Sequence, residues 1–401
     1  IGRELGVAYV LEGSARREGT RVRITTQLIR VRDEVQQWAD SYERELAGIL
    51  ALQSEVAQGV ARSLAIALIP AEQARAASTR VMQPAAYEQF QLGRFRMAER
   101  TVPGLELALD HFERAIALDS NYALAYAGVA DVQVLLPFFS REVPPPVGRA
   151  RAEAAANRAL ALDSSLGQAH AALGLVREFE FRWDAAEIEF RRAIELDPGY
   201  APAHHWLADM LARRGRHAEA LAEIRKALEL DPLSTIINQD LGYVLTLAGE
   251  RDAGIRQYER TLELDPAFTT TWIVLATTLL ERGRFQDAAN ALSRWAELTG
   301  NDSAIMRRLA DAAAAHARSG ATQPLPADID INRTFPPYAI PGLFMALGQK
   351  ERALDALERG YEQGAFSTVA TMLSPIFHRV RSDPRFLALL EKTGMRPQNH
   401  D

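Results

Sequence analysis

Few residues in this 401-residue chain are spaced for catalysis. His204 and His205 are neighbours on an expected helix, where adjacent side chains diverge by about 100° and cannot share a metal ion as an i, i+4 pair can. Glu187 and Glu189 belong to a solvated helix face, and no acid–base dyad follows from them. A kinase needs a Gly-rich phosphate loop with a lysine and catalytic carboxylates, and a P-loop enzyme needs Gly-x-x-x-x-Gly-Lys-Ser/Thr; neither pattern occurs. Cysteine is absent, which excludes disulfides, thiolate metal sites and cysteine nucleophiles. The expectation is a chain with no catalytic residues, no metal site and no cofactor.

Arg16, Arg17, Arg21, Arg23, Arg30 and Arg32 form the best candidate for phosphate contacts. They alternate with apolar positions, as on the solvated face of a half-buried strand, and the net charge of −6 gives no electrostatic attraction to nucleic acid. No direct nucleic-acid partner is expected. Asn301-Asp302-Ser303 and Asn332-Arg333-Thr334 match glycosylation acceptors at chance frequency.

The elements that must position any site are mostly helical repeats. With 48% hydrophobic and 24% charged residues the chain has ample apolar surface to bury, and no apolar run approaches the roughly 18 residues of a membrane span. Six segments end in a leucine followed by a polar helix stop: Leu118-Asp119-Ser120, Leu162-Asp163-Ser164, Leu196-Asp197-Pro198, Leu230-Asp231-Pro232, Leu264-Asp265-Pro266 and Leu298-Thr299-Gly300. Their spacings are 44, 34, 34, 34 and 34 residues, and the long one contains Pro144-Pro145-Pro146. A 34-residue period implies a helix-turn-helix repeat. From Ala201, a first helix carries Leu207, Ala208 and Leu211, a turn falls at Gly215, and a second helix carries Ala220, Ile224 and Ala227. Gly174 with Phe190, and Gly242 with Gly254 and Tyr258, repeat the theme of small residues where helices approach and large ones filling the gap. Each proline ends its helix, because it lacks a backbone donor and its ring clashes with the preceding turn.

These residues resemble the tetratricopeptide-repeat (TPR) consensus, as does Trp272-Ile273-Val274-Leu275-Ala276 with Gly283 and Ala288. The resemblance implies a mainly α fold: a TPR α-α superhelical solenoid whose concave surface binds a protein or peptide. Units are expected at 86–120 (with an irregular first helix), 123–164, 167–198, 201–232, 235–266 and 269–300. A helix at 303–318 starts a seventh unit, interrupted by a Pro-rich loop and resuming over 343–360 around Gly348, Ala353 and Leu357. In the resembling family the ligand-facing positions lie on the first helices, and they map here to Gln168, His205, Asp209, Gln239, Tyr243, Ile273 and Thr277. That mix suits an extended peptide or a partner helix. The Lys/Asn clamp of some chaperone-binding TPRs is missing, since Ala171, His205, Gln239 and Ile273 hold its places.

Residues 1–69 do not share the repeat. Val22, Ile24, Thr26 and Leu28 alternate with polar residues as one strand; Val7–Arg16 reads as another, joined to it by a turn at Arg17-Glu18-Gly19-Thr20. A third strand at 36–43 places Trp38 and Tyr42 on one face, and Ile49, Leu52, Val56, Val60, Leu64 and Ala67 mark an amphipathic helix closed by Pro70. The run from Leu5 to Ser14, the hairpin and the stretch from Trp38 to Gln53 resemble the TolB-like domain of bacterial signalling proteins. The resemblance implies a truncated α/β domain, because that family's earlier strand and helix are missing. Ala346-Leu347-Gly348, Leu357-Glu358-Arg359 and Arg381-Ser382-Asp383-Pro384-Arg385-Phe386 resemble the closing segment of the same regulators. There Asp383 can cap a last helix with Pro384 at its first position, and Phe386, Leu387, Leu389 and Leu390 would cover the open end of the solenoid.

The expected organisation is therefore a partial TolB-like domain at 1–69, a linker at 70–85, a TPR solenoid at 86–318, a Pro-rich loop at 319–337, and final TPR-like helices with a cap at 338–401. In the resembling regulators a winged helix, a Ser/Thr kinase or a class III nucleotide cyclase precedes these parts. The implied role is the sensor or interaction region of a bacterial signalling or transcription regulator, acting through a protein or peptide in the groove or through self-association. The alternatives are a free-standing scaffold for envelope or secretion complexes, and the substrate-recruiting part of a larger kinase or cyclase. Cytoplasm suits the chain, and so does the periplasm if a membrane span precedes it.

Overall fold

The computed structural model describes residues 8–19, 21–45, 55–56, 59–60, 83–140 and 142–397. They fall into two compact units, residues 1–128 and 129–401.

In the first unit, β1 (Tyr9–Glu18), β2 (Arg21–Arg30) and β3 (Val35–Glu45) form an antiparallel sheet in that order. The alternation of β2 is realised, with Val22, Thr26 and Leu28 buried while Arg21, Arg23 and Thr25 are exposed. Across the β2–β3 pairing Ile24 faces Tyr42 and Leu28 faces Trp38, so the aromatic residues share one face of the sheet. β1 continues through Arg17 and Glu18, which pair with Val22 and Arg21; the ladder absorbs the first half of the expected turn, and the chain reverses at Gly19, whose φ of 62° suits glycine. The strand start at Val7, most of the helix expected over 49–67 and the linker up to residue 82 lie outside the described residues. All six arginines of the basic cluster sit beside carboxylates: Arg23 grips Glu43 at 2.8 Å and 3.1 Å, Arg21 meets Glu45, Arg16 Glu18, Arg17 Glu88, and Arg30 and Arg32 both meet Asp33.

Helices α1 (Pro84–Ala98) and α2 (Val102–Leu118) form the first hairpin. The α1 helix, expected to be irregular, is one continuous run that tolerates Gly93 because the Phe112 ring lies directly against it. The unit boundary falls within α3 (Ala123–Phe139).

The second unit continues with α4 (Pro145–Leu162), α5 (Gly167–Phe179), α6 (Trp183–Leu196), α7 (Ala201–Arg213), α8 (His217–Leu230), α9 (Thr235–Leu247), α10 (Arg251–Leu264), α11 (Thr269–Glu281) and α12 (Phe285–Thr299). Each helix pair expected from the 34-residue period is present: α5 packs on α6, α7 on α8, α9 on α10 and α11 on α12. Successive pairs share one apolar core, in which Phe190, Leu207, Ile224, Tyr258 and Leu292 are all essentially inaccessible to water. That sharing is what makes a stack of individually insufficient repeats stable.

Asp302 caps α13 (Ser303–Ser319), accepting from Ala304 N, and Gly320 ends it. The stretch expected to be a loop holds a short helix, α14 (Ile331–Thr334), because Asp330 accepts from the amides of Asn332 and Arg333. Then follow α15 (Ile340–Ala346), α16 (Lys350–Glu362), α17 (Phe366–Ala370) and α18 (Pro384–Thr393), with 3-10 turns at 337–339, 371–373 and 375–380. Asp383 caps α18 through Arg385 N with Pro384 at the first position, as expected. Its apolar residues do not all cover an open end. Phe386 and Leu389 are buried, but Leu387 is 50% exposed, because α18 presents only one face to α16. Its C-terminal end instead meets the middle of the array: Trp183 Nε1 donates to Thr393 O at 2.6 Å, Arg214 donates to Gly394 O, and Arg396 N donates to Arg213 O. Among the described residues no helix is long and apolar enough to cross a membrane.

Candidate functional site

The two adjacent histidines of α7 have different tasks. His204 Nδ1 bonds Glu223 Oε2 of α8 at 2.7 Å, and the pattern repeats one period either side: His170 with Glu189 at 2.7 Å, and Asn238 with Gln257 at 2.9 Å. Each bond joins the first helix of a pair to its second across nineteen residues, so position 204 is part of a repeated latch. His205, roughly 100° further round the helix, points elsewhere: its Nε2 lies 2.6 Å from Asp240 Oδ2 of α9 and 4.0 Å from Asp209 Oδ2 of its own helix.

Asp209, one turn on, accepts from Arg213 Nη2 at 3.1 Å, and Arg213 Nη1 donates to Glu178 Oε1 of α5 at 2.7 Å. The guanidinium lies 5.4 Å from the ring centres of both Tyr243 and Phe366, which adds cation–π attraction to the ion pairs. Beside this, Gln239 Nε2 donates to Asp240 Oδ1 at 3.1 Å, and Thr271 Oγ1 donates to Gln239 Oε1 at 2.9 Å. Three successive first helices, α7, α9 and α11, and the end of α5 thus contribute to one polar network.

The network is buried, with Glu178 wholly inaccessible, His205 3% and Asp209 7% exposed. Burial pushes the Glu178 carboxyl up to about 7, against the pull of Arg213. Burial likewise pushes Asp209 up to about 6, helped by the negative charge of Asp240 and opposed by Arg213 and His205. Asp209 Oδ1 and Glu178 Oε2 have no hydrogen-bond partner.

Of the sequence-expected groove residues, His205, Asp209 and Gln239 meet in this network and Tyr243 lies against Arg213; access to the seven is unequal. Gln239 and Ile273 are buried with His205 and Asp209, whereas Gln168, Tyr243 and Thr277 are half-buried. Part of the cover comes from the chain itself. α15 packs on α11, and Phe366 lies 4.6 Å from Phe179, 5.4 Å from Phe181 and 6.2 Å from Trp183 between ring centres. Ser374 Oγ donates to the Glu281 carboxylate, and Arg149 Nη1 donates to Gly364 O at 2.8 Å. Glu178, Arg213, Asp240 and Phe366 are the residues sequence reasoning missed. The signal for one of them was present, since Arg213 continues the His205–Asp209 face at the next i+4 step.

The chain matches the tetratricopeptide-repeat family over residues 201–234 and again over 240–303. A protein of Rhizobium meliloti (strain 1021), putative adenylate cyclase 3, is 32% identical over 188 residues, which are 47% of this chain and 32% of that protein. The chain therefore spans about a third of this curated relative's length. Among solved structures, a thermophilic TPR protein of Thermus thermophilus is 22% identical with a TM-score of 0.40, covering 49% of this chain and 100% of that one. The pilF protein of Pseudomonas aeruginosa is 19% identical with a TM-score of 0.37, covering 61% and 96%. Residues 201–234 and 240–303 of this chain are tetratricopeptide repeats.

Proposed function

We propose that this chain is a protein-binding scaffold, the sensor or interaction region of a bacterial signalling or transcription regulator whose effector domain lies upstream. The observation that carries the reading is the 188-residue match to a longer protein named a putative adenylate cyclase. In that arrangement the repeats bind and the upstream domain acts, with a nucleotide cyclase the effector this relative favours. The ligand is an extended peptide or partner helix held on the first-helix side. Gln168, Tyr243 and Thr277 reach it, and His205, Asp209, Gln239 and Ile273 form the floor beneath. Residues 1–69 serve as a TolB-like domain between the effector and the repeats.

Photo-crosslinking tests this reading, with a benzophenone side chain placed at Tyr243 or Thr277 and, as control, at Ile188, which is 68% exposed on α6. The expected result is one saturable protein adduct from the first two positions and none from Ile188, in a gene product that carries an effector domain ahead of Ile1. Equal labelling at all three positions, or a reading frame with no effector, overturns it.

A further inference from the structure

We propose that His205, Asp209 and Asp240 form a binding site for one divalent transition-metal cation, with Zn2+ the best match to the donor set. One imidazole and two carboxylates, all on helices, are the ligand types of a three-residue zinc site with a fourth position for solvent or a bound ligand.

The geometry is close to what such an ion requires. One ligand atom from each residue lies within 4.8 Å of the other two. Metal–ligand bonds of about 2.0–2.2 Å in a tetrahedron place neighbouring ligand atoms roughly 3.3–3.6 Å apart. The observed His205–Asp240 and His205–Asp209 separations of 2.6 Å and 4.0 Å fall on either side of that range, so small carboxylate rotations reach it. His205 and Asp209 stand at i and i+4 on α7, and Asp240 comes from α9, which packs against α7.

Two further observations point to a cation. The Asp209 oxygen 4.0 Å from His205 is Oδ2, which also accepts from Arg213, while its other oxygen, Oδ1, is buried without a donor; Glu178 Oε2, beside the same guanidinium, is wholly buried and also without one. Buried oxygens with no partner are rare enough to need a cause. The make-up of the cluster gives one: three carboxyl groups, Glu178, Asp209 and Asp240, are set in one network with a single guanidinium, Arg213, and a divalent ion would supply the cation that the extra carboxyl groups lack. An outer layer is also in place, since Gln239 orients Asp240 and is itself held by Thr271, as second-layer groups orient ligands in metal sites. His204, committed to Glu223, takes no part.

The test uses the 401-residue chain without a polyhistidine tag, stripped with chelator and titrated with CoCl2 under visible absorption and with ZnCl2 in a calorimeter. The expected result is one saturable equivalent with the intense d–d bands of a four-coordinate cobalt site. Asp240→Asn and His205→Gln weaken binding more than about tenfold with unchanged far-ultraviolet dichroism, while His204→Gln leaves it intact. The wild-type titration is decisive even if a variant fails to fold, because no saturable equivalent overturns the proposal. Binding undiminished in a folded Asp240→Asn or His205→Gln protein would mark adventitious surface ligation and overturn it as well.

Discussion

Phe181 stacks on Tyr361 with ring centres 5.8 Å apart, and it does so from a left-handed backbone at φ 59°. In the three following helix pairs the same turn position holds Gly215, Gly249 and Gly283, at φ 76°, 88° and 72°. A bulky residue in that conformation costs on the order of 1–3 kcal/mol, offset here by aromatic packing with Trp183, Tyr361 and Phe366. The backbone and the ring therefore oppose each other at one residue. Phe181→Gly and Phe181→Ala both delete the ring, but only glycine relieves the backbone, so the alanine variant should be less stable by about 1 kcal/mol. Urea denaturation of the pair checks this. Equal stabilities would mean that residue 181 is not held left-handed in solution.

The buried fork of Arg213 holds two carboxylates that water cannot reach. Arg213→Met leaves both charges buried without a partner, which should cost about 3–5 kcal/mol. Adding Glu178→Gln removes one of the stranded charges and should recover part of the loss. Chemical denaturation of the two variants reads the coupling directly. A double variant no more stable than Arg213→Met would show that Glu178 takes up a proton once Arg213 is gone.

The legible parts of this molecule were those written in local patterns. The Asp-Pro stops, the 34-residue spacing and pairings such as Gly174 with Phe190 repeat within one helix hairpin, so they can be read without knowing how hairpins stack. The β2 alternation was legible for the same reason, and it explains why the arginines there meet Glu43 and Glu45 across a strand pair. The candidate site was only half legible. His205, Asp209 and Gln239 follow from repeat positions, but their meeting with Asp240 and Glu178 depends on the rise from one hairpin to the next. Phe366 was invisible, because its partner Phe179 is far away in sequence and no periodicity links them.

Glu281 predicts a pH effect with a definite sign. Burial pushes its carboxyl up to about 7, against the Ser374 hydrogen bond and the positive charge of Arg251. A carboxyl raised above its unfolded value of 4.5 binds its proton more tightly in the folded chain. Its contribution is therefore fully present below that value and is lost as pH rises toward 7. Glu281→Gln keeps a neutral side chain at every pH, so between pH 4.5 and 7 its stability should fall less steeply than that of the wild type. Parallel curves from denaturation across that window would place Glu281 at its ordinary acidity.

Gly242 and Tyr258 test the packing rule of the repeat itself. A Cβ added at Gly242 would stand 2.5 Å from the Tyr258 ring, and one at Gly174 would stand 2.5 Å from the Phe190 ring. In the intervening hairpin the equivalent positions are Ala208 and Ile224, both inaccessible to water. A glycine is thus set against an aromatic ring, and an alanine against a smaller aliphatic side chain, which keeps the volume between the helices matched. Gly242→Ala should destabilise by about 1–3 kcal/mol through overpacking, although alanine is the better helix former. Combining it with Tyr258→Ile copies the Ala208 and Ile224 arrangement. The double variant should then be more stable than the sum of the two single changes implies, a coupling measurable by a double-mutant cycle in urea. Strict additivity would show that the two positions do not compete for the same space.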